Sequence, residues 1–82
     1  MKVYAQLYIR DHRGLVEALG SFSVCVIDAK LDIHNMIEIG RELAERESKV
    51  KPIAGFAIVR SNKFIDTLDL SNSNSVLYRK IY

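Results

Sequence analysis

The chain has 82 residues, with twelve Lys and Arg against ten Asp and Glu, one Cys, one Pro and no Trp. That length holds one thin-cored domain and excludes a two-lobed enzyme. A single Cys excludes an internal disulfide framework, one Cys with two His argues against a structural zinc cluster, and a net charge of +2 falls short of a dedicated nonspecific nucleic-acid binder.

Lys2 to Ile9 alternates. Val3, Ala5, Leu7 and Ile9 form one face, and Tyr4, Gln6 and Tyr8 form the other, which predicts a strand. Arg10 to Gly14 breaks the pattern as a polar connection. A short helix is expected over Leu15 to Leu19, ended by Gly20. Phe22 to Ile27 is apolar on both parities and reads as a strand covered on both faces, in the middle of a sheet. Cys25, between Val24 and Val26, reads as a buried thiol.

The strongest helical signal runs from Ile33 to Glu47. Ile33, Met36, Ile37, Gly40, Leu43, Ala44 and Glu47 recur at spacings of three and four, and polar residues fill the opposite surface. Asp32 is the expected N-cap, with Asp28 as its rival. Glu42 and Arg46 stand four apart as a weakly helpful pair. Gly40 on the inner stripe costs about 1 kcal/mol of helix propensity, which a close approach to a sheet would explain.

Ser48 to Pro52 is a basic connection. Ile53 to Arg60 and Phe64 to Leu70 read as two strands of a hairpin turning at Ser61-Asn62. Phe56, Ile58 and Ile65 are expected on one face, with Val59, Phe64 and Leu68 on the other. After the polar run Ser71 to Ser75, Val76 to Tyr82 reads as a last strand, with a helix capped by Ser75 as the alternative.

These elements predict a single α+β domain over 1–82. It is a two-layer sandwich in which a mostly antiparallel sheet of four or five strands is packed by one long helix. The nearest familiar element order is ferredoxin-like, with an extra hairpin strand and without a full second helix. That is an analogy of order and carries no function.

No glycine-rich phosphate loop, His-Glu-x-x-His, Cys-x-x-Cys or nucleophile elbow is present. No catalytic residue, metal ligand or cofactor is therefore assigned. Asp11, Asp28, Asp32, Asp66 and Asp69 fall near element ends. A pair of them beside Arg10 or Lys30 would make a minimal metal-dependent nuclease, the weakest alternative. His12 and His34 read as surface histidines.

The chemistry that remains is binding. Tyr and Arg supply contact area and hydrogen bonds together, so Tyr4, Tyr8, Arg10, Arg13, Tyr78, Arg79 and Tyr82 are the candidate protein-binding residues. The terminal strand would offer an edge to another chain, with a homodimer as the self-associating version. Tyr4, Tyr8, Arg13, Arg79 and Lys80 would serve nucleic acid instead if the first and last strands were neighbours and their rings and cations shared a face. No apolar run is long enough to span a membrane and the start lacks a signal-peptide pattern, so a cytoplasmic protein without a membrane partner is expected.

The start directly on a strand and the stretch Phe56-Ala57-Ile58-Val59-Arg60-Ser61-Asn62-Lys63-Phe64-Ile65-Asp66-Thr67 loosely resemble small accessory proteins of bacteriophages. Many of those bind a host protein. The resemblance implies a noncatalytic regulator or inhibitor of a larger complex and transfers no residue roles.

Overall fold

The structure, a computed structural model, describes residues 3–19, 25–26, 32–60, 65 and 74–82. An antiparallel sheet is packed against one long helix, the predicted α+β sandwich. In chain order the elements are β1 (Val3–Arg10), β2 (Val16–Ala18), β3 (Cys25–Val26), α1 (Ile33–Glu47), β4 (Ile53–Val59) and β5 (Val76–Ile81). The sheet order is β2-β1-β4-β5, and β3 pairs with β1 beside Val3 and Tyr4.

Two expectations fail at the ends of the chain's first half. Leu15 to Leu19 is not helical: Val16–Ala18 forms β2, antiparallel to Tyr8–Arg10. The five residues are too few for a stable helix, whereas a strand edge offers them hydrogen-bond partners at once. The strand around Cys25 was expected in the middle of the sheet. Its two described residues pair with β1, and the middle is held by β1 and β4. The Cys25 side chain lies outside the described residues.

β4 has β1 on one side and β5 on the other along most of its length. The strand expected over Phe64 to Leu70 lies outside the described residues except at Ile65. The backbone of Ile65 is bonded by side chains. Its N–H donates to Gln6 Oε1 at 3.2 Å, and its carbonyl accepts from the Tyr8 hydroxyl at 2.7 Å. It packs with Tyr8, Ala57 and Val59, on the face opposite Phe56 and Ile58. Phe64 and Leu68 lie outside the described residues.

The sheet therefore buries both faces. Val3, Ala5, Leu7, Phe56 and Ile58 meet Met36, Leu43 and Ala44 of α1; Tyr8, Ala57, Val59 and Ile65 form the second cluster. The β1 alternation was read correctly, but its tyrosine face is interior. The helix occupies its predicted span. Asp32 accepts from the Asn35 N–H at 2.9 Å, which satisfies one of the free donors of the first turn. Arg41 pairs with Glu38, three residues back, rather than Arg46 with Glu42.

Candidate functional site

β5 is an outer strand. It pairs with β4 from Gly55↔Ile81 to Val59↔Val76, with an irregularity at Ile58/Val59, and among the described residues no strand lies on its other side. The Tyr82 N–H donates to the Ala54 carbonyl at 2.7 Å. The alternation of an antiparallel ladder then turns the main-chain groups of Ile81 the other way, to the open side. The register sets Tyr78 opposite Ile58 and Lys80 opposite Phe56, on the helix side, and Arg79 opposite Ala57 on the other face. Tyr78 is half-buried, with its ring 5.7 Å from that of Phe56. Arg79, Lys80, Ile81 and Tyr82 are exposed.

Beyond the end of β5, Tyr82 closes an open groove of about 360 Å³ lined by Arg41, Ala44, Glu45, Ser48 and Ile53. Partial burial there raises the Tyr82 phenol above its usual 10.0, while the Arg41 charge pulls the other way.

Arg10 joins three segments at the same end. Its N–H donates to the Pro52 carbonyl at 3.0 Å, and its guanidinium donates to the Gly14 carbonyl at 3.1 Å and the Tyr82 main-chain oxygen at 3.2 Å. Arg13 projects from the β1–β2 connection, 3.5 Å from Asp11. Asp11 also accepts from the Arg13 and Leu15 N–H groups, at 2.8 and 2.9 Å, and so shapes the turn.

The structure thus brings Arg10 and Tyr82 together and places Tyr78, Arg79 and Lys80 on one edge strand. It does not assemble the rest. Tyr8 is 0% exposed and belongs to the core, so it cannot touch a partner. Tyr4 is half-buried against the same cluster. The nucleic-acid face fails for the same reason: β4 separates β1 from β5, and Arg79 and Lys80 point to opposite sides. For the nuclease alternative, Asp11 and Asp32 hold backbone N–H groups, and no metal-binding cluster occurs among the described residues. Asp28, Lys30, Asp66 and Asp69 lie outside them.

Sequence reasoning missed Arg41, Glu45, Ser48 and Ile53 as the groove lining. The first three recur at helical spacing along α1 and its C-cap, a signal that gains meaning only once Tyr82 is known to share their groove. No family model matches the chain, and no curated protein or solved structure matches it. No helix among the described residues is long and apolar enough to cross a membrane.

Proposed function

We propose that the protein is a noncatalytic, cytosolic protein-binding module that takes an extended acidic segment of a larger partner onto β5, acting as a small regulator or inhibitor. The observation that carries this is the outer position of β5, with Ile81 main-chain groups on the open side and a row of exposed cationic and apolar residues. An added strand gains main-chain hydrogen bonds from the edge and specificity from alternate side chains.

Charge selects the occupant. In an antiparallel pairing of two β5 strands centred on Arg79, Arg79 faces its own copy, and in a neighbouring register it faces Lys80. Like charges directly opposite destabilise a pair. Edge cations of this kind discourage self-pairing, whereas Glu or Asp on an incoming strand meets them favourably.

Calorimetric titration with an alternating Glu-Val octapeptide tests this. Binding that weakens several-fold in an R79E/K80E variant, and again with added salt, is the expected result. Equal affinity for an alternating Lys-Val peptide would remove the charge argument, and no heat with either peptide at millimolar concentration would remove the edge as the site.

A further inference from the structure

The sheet has a second outer strand. β2 pairs with β1, and among the described residues no strand lies on its other side. Its ladder bonds fall at alternate positions: the Asp11 N–H donates to the Leu15 carbonyl at 2.9 Å, and the Leu19 N–H donates to the Leu7 carbonyl at 2.8 Å. The main-chain groups of Leu15, Glu17 and Leu19 therefore turn toward β1, and those of Val16 turn outward. Val16 and Ala18 pack with the Tyr8 cluster, so the exposed Glu17 between them projects on the helix side of the sheet. The exposed Lys80 of β5 projects on that same side, opposite Phe56.

Every neighbouring pair in β2-β1-β4-β5 is antiparallel, so the two outer strands run in opposite directions. A second copy shifted sideways along the sheet thus brings its β2 antiparallel to β5, with its helix on the same side. One register suits both edges. With Val16 opposite Ile81, outward main-chain groups meet outward main-chain groups. Glu17 then stands opposite Lys80 on the helix side, at a position between ladder bonds, where side chains approach closest. The next pair is Leu15 against Tyr82, 57% and 58% exposed. Leu15, Ile81 and Tyr82 are three of the five large apolar residues exposed among the described residues, and all three enter this one contact.

We propose that a second copy of this chain docks on β5, the β2 of one molecule adding to the β5 of the next in the register that sets Val16 opposite Ile81. This rests on the reading of β5 as an open edge and names a regulator of it: the second copy competes with a partner's acidic segment for the same strand. The contact joins two different surfaces of identical chains, so it extends rather than closes into a pair. It also avoids the like-charge opposition of two β5 strands. β2 has three residues, so the association is weak and depends on protein concentration.

Sedimentation equilibrium of the purified full chain tests this. At low salt the mean mass is expected to rise above 9.3 kDa with protein concentration and to fall back with added salt. E17K and K80E each set like charges opposite, and each is expected to need several-fold more protein for the same rise. E17K/K80E restores opposite charges and is expected to associate as wild type does. Circular dichroism confirms that each exposed-site variant is folded. A mass of 9.3 kDa at every concentration up to millimolar overturns the proposal. So does an E17K variant that associates like wild type, or a double variant that stays as weak as the single ones. Calorimetry of E17K with the Glu-Val octapeptide separates this contact from the β5 reading beneath it. Peptide binding without self-association of wild type removes the second copy and leaves β5 as the docking edge; no peptide binding and no self-association removes both.

Discussion

Gly40 of α1 lies so close to Phe56 of β4 that a Cβ on it would stand 2.8 Å from both Cδ2 and Cε2 of the ring, and 3.0 Å from Ile58 Cδ1. The glycine lets the helix sit down on the sheet, and the propensity it gives up is the cost of that approach. Phe56 is fully buried, so its ring has no room to withdraw. Gly40→Ala is therefore expected to destabilise by about 1–3 kcal/mol despite the better helix former, because overpacking outweighs propensity. Urea unfolding measures it; a stabilised variant would mean the layers are further apart.

Gly55 makes a different demand. A Cβ there would overlap the Lys80 main-chain oxygen and come within 2.8 Å of the Ile81 Cα. Backbone cannot swing aside as a side chain can. Gly55→Ala is expected to cost more than Gly40→Ala and to loosen β5 selectively. Amide exchange should accelerate over residues 76–82 while β1 stays protected.

On the far face, Tyr8 and Gln6 hold the backbone of Ile65. Tyr8→Phe leaves the buried Ile65 carbonyl without its hydroxyl donor and is expected to cost about 1–3 kcal/mol. Gln6→Leu removes the acceptor for the Ile65 N–H and should speed exchange of that amide before global unfolding. An Ile65 amide equally protected in both variants would contradict the observed bonding.

Tyr82 gives a pH dependence with a definite sign. Burial raises its folded pKa above the ordinary 10.0, so the folded state keeps the phenol proton where the unfolded chain has lost it. Its contribution is fully present below pH 10 and is lost as pH rises through the folded value. In urea midpoints measured across alkaline pH, wild type should lose stability relative to Tyr82→Phe above pH 10 and run parallel to it below. A gap that stays constant would mean the ring is solvated in both states.

Much of the fold was legible because its signals are local. The three-and-four spacing from Ile33 to Glu47, the Asp32 cap and the alternation of Val3 to Ile9 each name one element without reference to another. Residues 15–19 misled because pairing decides them: three residues become β2 only because β1 offers an edge. The candidate site suffered likewise. Tyr8 and Tyr82 look alike in sequence, both tyrosines in or beside β-rich segments. One is sealed under Ile65 and the other lines an open groove, a difference set by contacts 57 residues away in the first case.

The most direct measurement is amide exchange at Ile81, whose main-chain groups the β4–β5 ladder turns to the open side. Free protein should exchange this amide quickly. With a saturating alternating Glu-Val octapeptide it should slow by at least about tenfold, as an incoming strand takes up the edge. Unchanged exchange at Ile81 with the peptide bound elsewhere would contradict β5 as the docking strand.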